Sequence, residues 1–394
     1  MEILIVVYDG IDVWDLAFAY KAFTSVNEVN IRIATDNENG EIVCKDKNLV
    51  IGGFESLSSV EHADLIWVCQ GEAKLDALRS DGVFKANLLR LAASAKKVVC
   101  VGATSTFFVN EFIDKEKSVS SHPMFSKLIK KAKRNYVSDL MLNNDNIISG
   151  SARAGLIFAI EEVFREFFTE KEYAKFLAQF NLKSLENLND SQDIKKRMKS
   201  LKKLYKQTLK MEANKNIAQL KVDSLRNSFG FYIQENFDFF SFAIIYSMLS
   251  GSKLLNNYII GDKKGKFNVH GGHFYVRSTH ALHQIQRVGT LIFTGGPVIE
   301  HRLADNFLKY WIYKLVPKAN RVISLDGSDR LLGVSGVLVD YDPEIELEDS
   351  QKYREDGKFV FLQNAYELMT YLSRNLKVLI GEKQAELLRC DYFL

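Results

Sequence analysis

The feature that most constrains the fold is an internal repeat, because the two halves of the chain follow one order of segments. "YDGIDVWDLAFAY" (8–20) aligns with "QENFDFFSFAIIY" (234–246), which pairs Asp12 with Asp238 at an offset of 226 residues (238 − 12). Further matches are "LIWVCQG" with "LIFTGG", "VVCVGATSTFFVNEFI" with "SLDGSDRLLGVSGVL", and "NDNIISGSARAGLIFAIEEVF" with "EDGKFVFLQNAYELMTYLSRNL". Because the matches keep the same order in both halves, they predict a tandem duplication.

Each copy alternates short apolar runs with helical segments, and this pattern predicts the fold class. In the first copy the runs are "EILIVVY", "VNIRIAT", "DLIWVCQG", "KKVVCVG" and the weaker "DNIISGS". Continuous apolar strands separated by helices are typical of a parallel sheet that is covered on both faces. We therefore expect an α/β protein with two tandem doubly wound, flavodoxin-like parallel-sheet domains. The 394 residues are enough for two cores.

The domain boundaries follow from the repeat and from a lysine-rich stretch between the copies. The first domain is expected at 1–183 and the second at 225–394, joined by a helical linker at 184–224. Ile194 and Met198 belong to an apolar stripe at helical spacing, which favours a solvated linker helix. A nucleic-acid or membrane patch is the alternative, but the stretch lacks the aromatic interleaving of a single-strand binder. Neither nucleic acid nor a membrane is expected as a partner.

The net charge, the N-terminal segment and the cysteine spacing indicate which partners and which cellular location to expect. The formal net charge is only +3, which gives no strong attraction to nucleic acid or to anionic lipid. The N-terminal "MEILIVVYDG" has no basic n-region and resembles a first buried strand, and no apolar run is long enough to span a membrane. The four cysteines show no C-x-x-C spacing, which is typical of reduced thiols. We expect a cytoplasmic location.

Several residues that could carry chemistry fall where ligands collect in such a fold, at the carboxyl ends of the strands. Cys100, Gly71 and Asp15 all lie at or just beyond predicted strand ends. A cysteine at a strand-to-helix corner has its thiolate favoured by the helix dipole and is lifted into the cleft, as in a nucleophile elbow. The alternative for Cys100 is a small apolar residue that fills the core, since free cysteine is among the most buried residue types.

The motifs of the first copy resemble the ThiJ/PfpI superfamily, a branch of the class I glutamine amidotransferase-like folds, in its isonitrile hydratase-like form. Members near isonitrile hydratase read roughly "LDLAGPYEVF", "VCTGAFLLAEAGLL", "THP" and "ITSAGVSAGIDLAL". The corresponding segments here are "WDLAFAYKAF" (14–23), "VCVGATSTFFVNEFI" (99–113), "SSHPMF" (120–125) and "ISGSARAGLIFAI" (148–160). The resemblance covers nearly all of the first copy and, more faintly, the second.

The resemblance implies a role for five residues. Cys100 takes the position of the nucleophile, and Asp15 takes that of an acid beside the sulfur that could transfer a proton. Gly71 and Val101 would offer backbone N–H groups as an oxyanion hole, and His122 matches a histidine near the thiol. Two of these positions keep a structural alternative, because Asp15 could cap a helix and His122 could fix its loop by a hydrogen bond. Neither a cofactor nor a metal is expected.

The chain also departs from the family pattern. In the first copy Val101 replaces a threonine, and Phe18 with Ala19 replaces Gly-Pro, which puts the isonitrile hydratase reaction itself in doubt. In the second copy the offset of 226 aligns Asp326 with the cysteine and Ser241 with the acid. We therefore expect a degenerate pseudo-domain that mimics a partner subunit, so that the chain forms an intrachain pseudo-dimer and could assemble further into a homo-oligomer.

One cluster of histidines is unexplained by the resemblance. The second copy contains "HGGHFYVRSTHALH", with H-x-x-H spacings that can hold zinc or another borderline metal; its histidines are His270, His273, His280 and His283. The two glycines indicate a turn before the strand "FYVRS", and the cluster contains neither a cysteine nor an acid. Surface or cap histidines are the favoured interpretation, and a metal site is the alternative.

Three functions remain open on the sequence. The leading expectation is a cysteine-dependent hydrolase, hydratase or lyase that acts on a small electrophilic C–N or carbonyl compound, with Cys100 as nucleophile and Asp15 as acid or base. The second is a non-enzymatic binding protein that senses a ligand or an oxidant, since an exposed thiolate of low pKa is also what peroxide attacks. The third is a structural protein in which both sites are vestigial. The expected partner is a small molecule.

Overall fold

The computed structural model describes two compact units. The residues described are 1–45, 48–71, 82–111, 113, 116–151, 154–180, 199–200, 202–203, 228–250, 256–338, 353–363 and 365–380. The first unit is built from the N-terminal half, except that residues 48–52 belong to the second unit with the C-terminal half. Almost all of the predicted linker lies outside the described residues. No helix among the described residues is both long enough and apolar enough to cross a membrane.

The first unit is built around a mixed sheet whose inner strands are parallel. The strands of the first unit, inside and outside this sheet, are β1 (Glu2–Val6), β2 (Asn30–Thr35), β3 (Glu41–Val43), β5 (Glu55–Ser56), β6 (Leu65–Val68), β7 (Lys97–Val101), β8 (Ser118–Val119), β9 (Asn135–Tyr136), β10 (Met141–Asn144) and β11 (Ile147–Gly150). Its helices are α1 (Val13–Thr24), α2 (Gly82–Ser94), α3 (Ser105–Glu111), α4 (Ser126–Lys131), α5 (Ala154–Phe167) and α6 (Glu170–Gln179). The sheet order is β10-β11-β7-β6-β1-β2-β5, with only β10 antiparallel to its neighbour.

The second unit repeats this arrangement. Its strands are β4 (Val50–Gly52), β12 (Ser228–Tyr232), β13 (Asn256–Gly261), β14 (Lys266–Asn268), β15 (Tyr275–Arg277), β16 (His280–Ala281), β17 (Thr290–Phe293), β18 (Arg321–Leu325), β19 (Arg354–Asp356) and β20 (Phe359–Leu362). Its helices are α7 (Phe239–Ser250), α8 (Ile299–Arg302), α9 (Asn306–Leu315), α10 (Asp329–Val334) and α11 (Ala365–Ile380). The sheet order is β19-β20-β18-β17-β12-β13-β16, and β4 pairs antiparallel with β15.

The two sheets are equivalent strand by strand. In each sheet an antiparallel pair of strands forms one edge, and five further strands, all parallel, follow it. The first strands of the two copies, β1 and β12, are each third from the opposite edge. The five apolar runs predicted in the first copy are β1, β2, β6, β7 and β11, and all five belong to its sheet. The prediction of two parallel α/β domains is therefore confirmed.

Each sheet is buried by apolar side chains on its strands and helices. In the first unit, every residue of β1 from Ile3 onward and every residue of β6 is buried. Helix α1 contributes Phe23, whose ring packs edge-on to Trp67. In the second unit, Trp311 of α9 packs against Tyr232 and Phe293 at the ends of β12 and β17. Because both sheets are covered in this way, polar groups that remain near the strand ends are the ones that need an explanation.

Candidate functional site

The loops after β1 and β6 meet at the carboxyl edge of the sheet of the first unit, where the site was predicted. The backbone N–H of Asp12 donates to the Gln70 carbonyl at 2.9 Å, which joins the loop after β1 to the loop after β6. At Gly71 an added Cβ would lie 2.7 Å from the Gly10 carbonyl oxygen and 3.1 Å from the Cα of Ile11. Gly71 is therefore needed for close approach of two backbones, whatever else its N–H group does.

Asp15 lies in the first turn of α1 and is completely buried. Its carboxylate accepts two hydrogen bonds of 2.7 Å, one from the indole Nε1 of Trp67 and one from the backbone N–H of Gln70. The helix cap is Asp12, whose side chain accepts from the N–H of Trp14 at 3.1 Å. Asp15 therefore holds the end of β6, and its negative charge adds to burial in raising the pKa of the neighbouring Cys69 thiol.

Cys100 lies inside β7, one residue before the strand ends. Its side chain has no exposed surface, and the thiol lies 3.5 Å from the Ile148 carbonyl oxygen, to which it donates. Burial raises the pKa of the Cys100 thiol well above its usual value. Among the residues that the structure describes, neither Asp15 nor a cation acts on the Cys100 thiol in a way that would favour the thiolate.

The strand-to-helix corner itself is at Gly102, which has a φ of +67°. Val101, the last residue of β7, pairs with Gly150, so its backbone belongs to the sheet ladder. The side chain of Gln70 lies over Gly102, since a Cβ added there would overlap the Gln70 amide oxygen. In the first unit the corner thus has no side chain of its own and is covered by Gln70. Gln70 is not among the residues that the sequence motifs single out at this edge.

His122 fixes a loop beside this edge. Its Nδ1 accepts from the backbone N–H of Met124 at 3.3 Å, and it caps the short 3-10 helix Pro123–Phe125. Nearby, the Ser121 hydroxyl donates to the Gly102 carbonyl at 2.8 Å. The structure thus contains the loop-fixing hydrogen bond, and a catalytic role for His122 stays a prediction.

The second unit corrects the alignment of the two corners. The offset between equivalent strands is 226 for β1 and β12 (228 − 2), 225 for β6 and β17 (290 − 65), and 224 for β7 and β18 (321 − 97). Asp326 therefore corresponds to Gly102, and the counterpart of Cys100 is Ser324. Ser241 keeps its place opposite Asp15, in the first turn of α7, where its N–H donates to the Asp238 carboxylate at 2.9 Å.

The four histidines of the second unit are spread over a turn, a strand and a short helix. His280 lies in β16 and its Nδ1 is 2.9 Å from the Thr279 hydroxyl, while His270 and His273 are exposed on either side of the two glycines. Partial burial lowers the pKa of His280. Within the described part of the chain, no three histidine, cysteine or acidic residues come together as a metal-binding group.

Comparison with known proteins gives likenesses to about half of this chain. No protein-family model matches it, and no curated protein matches it significantly. A solved ThiJ/PfpI family protein from Pseudomonas syringae is 16% identical over 48% of this chain and 78% of that chain, with a TM-score of 0.42. DJ-1beta of Drosophila melanogaster is 15% identical over 46% and 98%, with a TM-score of 0.42. An AraC family transcriptional regulator from Pseudomonas putida is 12% identical over 45% and 97%, with a TM-score of 0.36. At these identities and scores the matches assign neither a family nor an activity.

Proposed function

We propose that this chain is a ligand-binding α/β protein that does not use Cys100 as a nucleophile. The observation that carries the proposal is the position of Cys100, whose thiol is wholly buried inside β7 and hydrogen-bonded to the Ile148 carbonyl. A nucleophilic cysteine needs the thiolate form and access to its substrate. Cys100 has neither, so the leading expectation from the sequence gives way to the second one.

The same observation limits the kind of sensing that the protein performs. Oxidation by peroxide requires an accessible thiol with thiolate character. Cys44, Cys69 and Cys100 are all free and buried, and burial raises the pKa of Cys69 and of Cys100 well above the usual value. We therefore propose recognition of a small molecule by polar groups at the strand ends, without a redox step at these thiols.

The origin, location and partners of the chain form part of the same proposal. Two units with one strand order support a tandem duplication. Free cysteines support a cytoplasmic location. That the second copy takes the place of a partner subunit stays a prediction.

A turnover assay with matched variants tests the absence of thiol catalysis. Wild type, Cys100→Ser and Cys69→Ser would be compared on isonitriles, methylglyoxal and small amides. We expect no turnover that depends on Cys100, so that the rates for the three proteins agree within about two-fold for every compound, because no reacting atom can reach the sulfur. Cys100→Ala serves as a second variant if the serine hydroxyl destabilises the strand.

One outcome would contradict the proposal directly. A folded Cys100→Ser or Cys100→Ala variant that loses about 100-fold or more in turnover, while Cys69→Ser keeps it, would show nucleophilic catalysis by this thiol.

A further inference from the structure

The outer face of α9 in the second unit carries three large aromatic side chains that are exposed. Phe307, Tyr310 and Tyr313 are 58%, 61% and 53% exposed. Their spacing of three residues makes them neighbours along one side of the helix, opposite the side on which Leu308 and Ile312 are buried. At about 200 Å² for a whole aromatic side chain, they leave roughly 300 Å² of surface in one stripe, a size at which exposed patches often bind a partner.

The first unit shows that the fold does not require aromatic side chains at this place. The equivalent helix is α2, because the strands that follow α2 and α9 are related by an offset of 224 residues (321 − 97) and three buried positions of the two helices keep that offset. At the same offset the first copy has Ala86 in place of Tyr310 and Leu89 in place of Tyr313. The aromatic stripe is therefore a property of the second copy and not of the duplicated fold.

The charge on this face has one sign. Helix α9 contains Lys309 and Lys314 and neither aspartate nor glutamate. The ammonium of Lys314 lies over two rings of the stripe, 5.4 Å from the ring centroid of Tyr310 and 5.8 Å from that of Tyr313. A cation held over two exposed rings complements a carboxylate that arrives together with apolar side chains.

The acids that precede α9 in the sequence are used within the second unit. Asp305 caps the helix by accepting from its first backbone N–H groups at 3.0 Å, and it also pairs with Arg302 at 3.0 Å. Glu300 pairs with Arg330. In the described part of the second unit these carboxylates therefore pair with arginines and not with the lysines of α9.

We propose that the outer face of α9 docks an acidic peptide segment of a partner protein, with apolar side chains of that segment against Phe307, Tyr310 and Tyr313 and a carboxylate at Lys314. Exposed aromatic side chains supply most of the binding energy at such surfaces, and the cation selects the charge of the partner. A nucleic acid is disfavoured, because the helix offers only two lysines to phosphates and the net charge of the chain is +3. This interaction goes beyond the small-molecule recognition proposed above, since it uses a helix face and no strand end.

The probe is a fluorescently labelled synthetic peptide that repeats Glu-Glu-Leu four times, and its binding to the full-length protein would be measured by fluorescence anisotropy. A Lys-Lys-Leu repeat controls for charge, and a Glu-Glu-Ser repeat controls for the apolar side chains. The double variant Tyr310→Ala/Tyr313→Leu restores the residues of the first copy, and Lys314→Glu reverses the charge. Val83→Ala is the matched control, because it shortens an exposed apolar side chain of α2.

We expect saturable binding of the Glu-Glu-Leu peptide, at least ten-fold tighter than that of either control peptide and weaker at higher salt. The double variant and Lys314→Glu should each lose at least ten-fold in affinity, while Val83→Ala binds within two-fold of wild type. All variants should melt within about 2 °C of wild type, because the changes lie on exposed side chains. If the double variant melts lower than this, Lys314→Glu decides the result alone.

Several results would overturn the inference. Wild type might be found not to bind the peptide or to bind a control peptide equally well, or Lys314→Glu might bind like wild type. Tighter binding of a twelve-residue oligothymidylate would assign the face to a nucleic acid. A wild-type dimer that the double variant converts to a monomer would assign it to a second copy. Binding that appears only after the acids of the stretch 340–349, outside the described residues, are changed to amides would assign it to the chain itself.

Discussion

The Gly295→Ala variant should lose about 3 kcal/mol of unfolding free energy, the largest effect that we expect of a single added methyl group in this chain. The new Cβ would overlap the carbonyl oxygens of Leu325 and Asp326 and lie 2.6 Å from the carbonyl carbon of Asp326. Leu325 belongs to the ladder between β18 and β20, and the N–H of Asp326 donates to the Leu362 carbonyl at 2.9 Å, so these backbone atoms cannot swing aside as a flexible side chain would. The loops must separate, which disturbs the whole edge.

Chemical denaturation of Gly295→Ala and of Gly265→Ala measures this effect against a matched control. At Gly265 an added Cβ meets only the Cγ of Lys263 at 4.0 Å, so the free energy of unfolding should change by less than about 1 kcal/mol. Equal stabilities for the two variants would show that the loops after β17 and β18 do not pack as described.

The Asp15→Ala variant should destabilise the first unit by a similar amount, about 3 kcal/mol. It leaves the indole N–H of Trp67 and the backbone N–H of Gln70 without their acceptor, and each such donor costs about 1–3 kcal/mol when buried. It also removes an acidic residue from the first turn of α1, where the helix dipole favours it. Relief from burying a carboxylate offsets part of this cost.

Thermal and denaturant unfolding of Asp15→Ala would be compared with those of Glu28→Ala, which removes an exposed acid from the same unit and should change the free energy of unfolding by less than about 0.5 kcal/mol. If Asp15→Ala were as stable as wild type but lost turnover of a substrate, Asp15 would be the proton-transferring acid of the family pattern and not a holder of β6.

Much of the fold could be predicted from the sequence, because buried parallel strands leave continuous apolar runs. "EILIVVY" and "LIWV" contain β1 and β6 as the structure has them, whereas the cap of α1 is Asp12 and not Asp15, the cap that the sequence offered. The repeat was visible because equivalent strands bury the same kind of surface. What fails is the register within the repeat, since the offset falls from 226 to 224 between the first strand and the corner.

The candidate site could be predicted only to the level of the sheet edge. The structure places the strand-to-helix corner at Gly102, two residues after Cys100, where the sequence predicted it. One feature of the sequence indicated this position, since Gly102 is the residue of "VCVGA" that best tolerates a positive φ. The partners of Asp15 lie 52 and 55 residues away in the sequence. No local pattern specifies such contacts, which is why the sequence leaves open whether the carboxylate is catalytic or structural.

The rate of alkylation of Cys100 by iodoacetamide, measured against pH by mass spectrometry, tests the central claim most directly. In the native protein we predict no measurable modification of Cys100 up to about pH 10, while the unfolded chain is alkylated with a midpoint near the usual cysteine pKa of about 8.5. A native Cys100 that is alkylated with a midpoint at or below about 8.5 would contradict the account, because it would show an accessible and ionisable thiol at this position.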